Sequence, residues 1–218
     1  MKFCTLIFIG LFFSISTAQA KCIFEYDFHI SREILSNISQ MCNKLVINSA
    51  SQPSSINVLL TKELEVPNAF AFFHKKSKII LVSKSFLEIH YFDPHLLAFV
   101  FGHELGHFQL GHVKNETTLS NIFDSFKSGA LASFGSESNL LSSGLKFSLN
   151  SYEAKYSQSQ EIAADNYSYK LLLNSGYSKN DVLNSLAILN RNSSSSSWTR
   201  FFSTHPSTQK RIENIHSK

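Results

Sequence analysis

His103-Glu104-Leu105-Gly106-His107 places two imidazoles and a carboxylate at a spacing that one helix can turn toward a single metal ion. At 100° per residue, His107 lies about 40° round the helix from His103 and one turn further along. Two neutral imidazoles at that offset can share an ion, and Glu104 falls beside them, in reach of a water on that ion. The pattern H-E-x-x-H therefore reads as two zinc ligands and a general base, the chemistry of amide hydrolysis. The bland alternative is a core helix that happens to hold two histidines. It would require two buried imidazoles and a buried glutamate with other partners, a costly arrangement.

Zinc hydrolases of this kind use three protein ligands and leave the fourth position to water. The run Ser159-Gln160-Glu161-Ile162-Ala163-Ala164-Asp165 offers the third. Glu161 and Asp165 are four apart and share a helix face. Glu161 is read as the ligand and Asp165 as the acceptor that orients a ligand histidine through its other ring nitrogen. Ala163 and Ala164 permit close helix packing at that point. A third histidine of the metzincin type is excluded, because Leu110 and Val113 stand where its glycine and histidine belong. If the helix continues past Gln109, His112 points about 180° from His103, so it reads as a surface or helix-end histidine.

These residues, with Thr204-His205-Pro206 and Arg211-Ile212 near the C-terminus, resemble the HtpX-like zinc metallopeptidases, which include the CAAX prenyl endopeptidases. Asn68-Ala69-Phe70-Ala71, ahead of Lys78-Ile79-Ile80-Leu81-Val82-Ser83, is similar to that family's asparagine-alanine-phenylalanine segment. The resemblance runs from about Ile56 to Ile215. It implies a gluzincin-type endopeptidase with one Zn2+ per chain, a polypeptide substrate and a compact zincin-type fold. It further implies that His205 contacts the transition state or gates the open zinc position, although a histidine before a helix-starting proline explains it equally well. Asn68, Ala69 and Phe70 would bind substrate by strand addition, against the alternative of an ordinary edge strand. Arg211 reads better as a helix-surface cation than as a further donor. Two departures stand out. Phe73-His74-Lys75-Lys76-Ser77 replaces the family's frequent Gly-Gly, and the membrane spans of its embedded members are missing.

The elements that must position these groups follow from pattern. Asp93-Pro94 reads as N-cap and first residue of a mostly apolar helix running into the motif. Ser31 to about Leu45 has helical apolar spacing. Ile56–Leu60, Phe70–His74 and Ile79–Val82 read as strands, with Ser83 or Ser85 capping a helix over Phe86–His90. Tyr152 to Asn174 is a helix ending at Gly176, and Ser178 caps another to about Asn190. Ser207 or its neighbour caps a last helix, after a serine loop at 193–197. Short adjacent strands followed only by helices predict an α+β domain, mostly helical, with a small antiparallel-rich sheet. The stretch 117–150 is a candidate lid over the cleft.

Met1-Lys2, the apolar Leu6–Ile15 and Ala18-Gln19-Ala20 read as a signal peptide over residues 1–20, too short to span a bilayer. Residues 21–218 are then one exported domain with no membrane span, periplasmic or, alternatively, secreted. Lys21 argues against a lipoprotein at Cys22. Cys22 and Cys42 form an even pair that could close one disulfide. A net charge of +4, dispersed along the chain, gives no argument for nucleic acid. Two other classes stay open: a chaperone-like peptide binder with weak or gated proteolysis, and a zinc hydrolase of non-peptide amides. Oligomeric state is not legible.

Overall fold

The computed structural model describes residues 20–49, 54–89, 93–113, 156–192, 205 and 209–218. The signal-peptide reading, the candidate lid, the serine loop and the Ser207 cap lie outside them, as does the start assigned to the third long helix.

The described elements, in chain order, are β1 (Cys22–Tyr26), α1 (Arg32–Asn48), β2 (Ile56–Thr61), β3 (Ala69–His74), β4 (Ser77–Ser83), α2 (Lys84–Ile89), α3 (Pro94–Gln109), α4 (Gln158–Asn174), α5 (Lys179–Asn192) and α6 (Gln209–His216). Mostly helical with one four-stranded sheet, the fold is that of a zincin-type domain. The sheet corrects one expectation. Its order is β1-β2-β4-β3, and β1–β2 and β2–β4 are parallel, so only the β3–β4 hairpin is antiparallel. Helix α1 supplies the crossover that a parallel β1–β2 pair requires. Lys75, at φ 55°, occupies the hairpin turn between β3 and β4.

Side-chain alternation divides the sheet between two apolar clusters. Val58, Leu60, Ala69, Ala71, Ile80 and Val82 join the main core with α1 and α3. Leu59, Phe70, Phe72, Ile79 and Leu81 form a smaller cluster with Leu64 on the opposite face. The helix ends follow their caps. Ser31 Oγ accepts from Ile34 N at 3.2 Å, and Asp93 Oδ1 from His95 N and Leu96 N at 2.9 and 3.0 Å. Ser157 and Gln160 form a reciprocal capping box. That box fixes the start of α4 at Gln158, inside the Tyr152–Asn174 range read from the sequence.

Every residue of α3 from Leu96 to Phe108 is buried, as expected of a helix at the centre of a domain. Its contact with α4 is unusually close because small residues meet there. A Cβ added at Gly106 would lie 3.1 and 3.2 Å from the Ala164 carbonyl oxygen and Cα, and 3.2 Å from Tyr167 Cβ. Ser168 Oγ donates to the Phe99 carbonyl at 2.8 Å across the same seam. Gly106→Ala should therefore lower the thermal midpoint. Overpacking costs about 1–3 kcal/mol, and alanine recovers only about 1 kcal/mol in helix propensity. A midpoint at or above wild type would contradict this account of the seam.

Candidate metal centre

Helix α3 carries His103, Glu104 and His107, and α4 brings Glu161 and Asp165 against them. All five are buried, with His205 and Arg211 beside them. His103 Nε2 lies 3.0 Å from His107 Nε2, 3.4 Å from Glu161 Oε2 and 3.3 Å from His205 Nδ1. His107 Nε2 and His205 Nδ1 each lie 3.3 Å from Glu161 Oε1. Donors around a tetrahedral zinc at about 2.0–2.1 Å stand about 3.3 Å apart. With Glu161 Oε1 as the carboxylate donor, four separations of 3.0–3.3 Å match edges of that figure. His103, His107, Glu161 and His205 thus form a four-donor group able to hold one ion.

Charge points the same way. Glu104, Glu161 and Asp165 are three buried carboxylates with one guanidinium, Arg211, among them. A dication plus Arg211 balances them. Nitrogen and carboxylate donors suit zinc, and buried charge without a partner is costly.

The sequence places Arg211 on a helix surface, and the structure corrects this. Its Nε and Nη2 donate to Asp165 Oδ2 and Oδ1 at 2.6 and 2.7 Å, and Nη1 stands 3.0 Å from Glu161 Oε2. Periodicity within an eight-residue helix does not tell which face is buried, and the partners lie about 50 residues upstream. Asp165 Oδ1 also accepts from His103 Nδ1 at 2.8 Å, which leaves Nε2 turned toward the other donors. His205 donates from Nε2 to the Ala69 carbonyl at 3.0 Å and lies 3.4 Å from Glu104 Oε1.

Asn68 is buried at the start of β3. Its Oδ1 accepts from Ala69 N at 2.9 Å. Ser83 N donates to Asn68 O at 2.9 Å, so by alternation Phe70 and Phe72 bond to β4. Ala69 and Ala71 then turn their main-chain groups outward, along the sheet edge that borders His205 and Glu104. Phe70 itself points its ring into the far cluster. Cys22 and Cys42, joined as a disulfide, tie β1 to α1.

Burial would depress the His103 pKa, but Glu161 and Asp165 outweigh it and raise it to about 10. Burial lowers that of His107 to about 3 despite the pull of Glu161. Burial likewise pushes the Glu104 carboxyl up, against the lowering effect of His205, His103 and the Ala71 amide. A raised carboxyl is what a base working near neutral pH needs. Asp165 is held below the usual carboxylate range: burial opposes this, and Arg211 overcomes it.

A family model for peptidase family M48 matches residues 35–218. The chain is 29% identical over 194 residues to metalloprotease LoiP of Escherichia coli K12, covering 85% of this chain and 71% of LoiP. It is 32% identical over 123 residues to metalloprotease YcaL of the same organism, covering 55% of this chain and 47% of YcaL.

Two outcomes follow from this electrostatic arrangement. Arg211→Ala strips the guanidinium from two buried carboxylates and should destabilise the protein by about 3–5 kcal/mol in chemical denaturation; a loss below about 1 kcal/mol would contradict the buried pairing. If His103 is a ligand, metal uptake needs its neutral form, and Glu161 and Asp165 raise its pKa to about 10 in the metal-free protein. Binding should therefore release close to one proton, and affinity should climb about tenfold per pH unit from about pH 7 toward 10. Calorimetry in buffers of different ionisation enthalpy reads the proton directly, and pH-independent affinity would contradict the assignment.

Proposed function

Because this chain belongs to peptidase family M48 and is a metalloendopeptidase, we propose that it is an exported zinc enzyme. It would cut unfolded or misassembled polypeptides in the periplasm, as part of envelope protein quality control. The observation that carries the zinc reading is the set of four separations of 3.0–3.3 Å among His103 Nε2, His107 Nε2, Glu161 Oε1 and His205 Nδ1. Export is supported by the signal-like start and by the Cys22–Cys42 disulfide, a bond at home in oxidising compartments. No helix among the described residues is long and apolar enough to cross a membrane.

His103, His107 and Glu161 would hold the ion, which when bound supplies Lewis-acid polarisation of the scissile carbonyl and a more acidic water. Glu104 takes the proton from the attacking water and delivers it to the leaving amine. Asp165 keeps His103 Nδ1 protonated and its ring fixed, while Arg211 holds Asp165 and Glu161 in register. The β3 edge in the segment Asn68-Ala69-Phe70 would pair with an extended substrate through the Ala71 carbonyl and, once His205 leaves it, the Ala69 carbonyl, and set the scissile bond beside Glu104. His205 has two roles open to one side chain. At the fourth donor position it shuts the site; swung onto the substrate it donates to the developing oxyanion.

That fourth donor supports a second reading, a chaperone-like peptide binder whose proteolysis is weak or gated. The two readings separate on the mature wild-type protein. An unfolded casein should be degraded, a chelator should stop it, and added zinc should restore it. Glu104→Gln should retain zinc and lose at least 100-fold in activity, in line with removal of a general base. Undiminished cleavage by Glu104→Gln would reject that base, and peptide binding without any cleavage by wild type would favour the second reading.

A further inference from the structure

Helix α3 does not continue past Gln109. Leu110 N still bonds to Gly106 O at 2.9 Å, but Gly111 N bonds to Phe108 O at 3.2 Å and His112 N bonds back to His107 O at 2.9 Å. With Gly111 at φ +69°, this is a Schellman ending, in which the residue after the left-handed one folds over the residue five positions earlier. An apolar contact commonly joins those two positions. Here they are His112 and His107, and their Nδ1 atoms meet at 3.0 Å.

His107 turns Nε2 toward Glu161 and His103. A neutral imidazole that gives Nε2 to an ion carries its proton on Nδ1, so that proton needs an acceptor. His103 has Asp165 for this purpose. Asp165 is also occupied by Arg211. Tyr156 stacks on the His107 ring, with centroids 3.7 Å apart and planes 14° off parallel; it fixes the tilt of the ring but not its rotation within its own plane. We propose that His112 is the positioning residue for His107. Its Nδ1 accepts the His107 Nδ1 proton, with its own proton on Nε2, so that the helix ending aims His107 Nε2 at the metal. The inference rests on the metalloprotease reading above, in which His107 is a ligand through Nε2.

The two imidazoles of the motif are thus oriented by partners of different charge. His103 faces a carboxylate already paired with a guanidinium, and His107 faces a neutral ring. Gly111 matters here because its left-handed conformation is what folds His112 back over the preceding turn; there is open space around it, so the requirement is conformational rather than steric.

The test is zinc affinity by competition with a chromophoric chelator on the mature protein, for wild type, His112→Ala and His112→Asn. The asparagine carbonyl can still accept from His107. Loss of an orienting partner typically weakens metal binding by about 10–100-fold, so His112→Ala should fall within that range. His112→Asn should stay within about threefold of wild type, and the unfolding midpoint of the metal-free protein should be unchanged in both. The cobalt-substituted visible spectrum should be altered in His112→Ala alone. Equal affinity in His112→Ala and wild type, or equal losses in the alanine and asparagine variants, would overturn the proposal while leaving the metal site in place. A wild type that binds no zinc would overturn the metal reading and this inference with it.

Discussion

Three carboxylates buried in one cluster set the terms for the rest of this molecule. Glu104, Glu161 and Asp165 are fully removed from solvent, and ionised groups in that state must find positive charge or lose their own. Arg211 contacts two of them, offsets one charge and is itself withdrawn from water to do so. The eight-residue α6 that carries it is too short to hold together alone. It docks through that guanidinium and through buried Ile215. The remaining deficit is what a divalent cation would supply, which makes metal, guanidinium and fold parts of one electrostatic balance.

The same balance needs α3 and α4 nearly in backbone contact. Gly102 and Gly106 face Ser168 and Ala164 across the seam, and the residues one position further along α3, His103 and His107, meet Glu161 and Asp165. Larger residues at the two glycines would move the imidazoles away from the acid. On its other side α3 packs beneath β3, whose outward main-chain groups border Glu104 and His205. The four-donor group, the Glu104 carboxylate and the β3 edge thus converge on one buried helix.

What the sequence revealed was local. His103, Glu104 and His107 lie within one helical turn and a residue, and Glu161 with Asp165 within another, so periodicity alone places them on common faces. The Asp93-Pro94 and Ser31 starts were legible for the same reason: a cap acts on amides two or three residues away. What escaped depends on parts of the chain that are distant or that break the pattern. Arg211 looked like a surface cation because its partners are on α4. His112 was legible as a helix-end histidine, but its contact with His107 was not, because that depends on the chain turning back at Gly111. The sheet was read as antiparallel-rich because short apolar strands carry no sign of partner or direction, and because β1, beginning at Cys22, was not recognised as a strand at all.

The account stands on the position of the Glu161 carboxylate relative to the two motif imidazoles, and metal-loaded crystals probe it most directly. An anomalous difference map at the zinc edge should show one peak within about 2.0–2.2 Å of His103 Nε2, His107 Nε2 and a Glu161 oxygen. A peak elsewhere, or one with Glu161 turned away from it, would contradict the central claim.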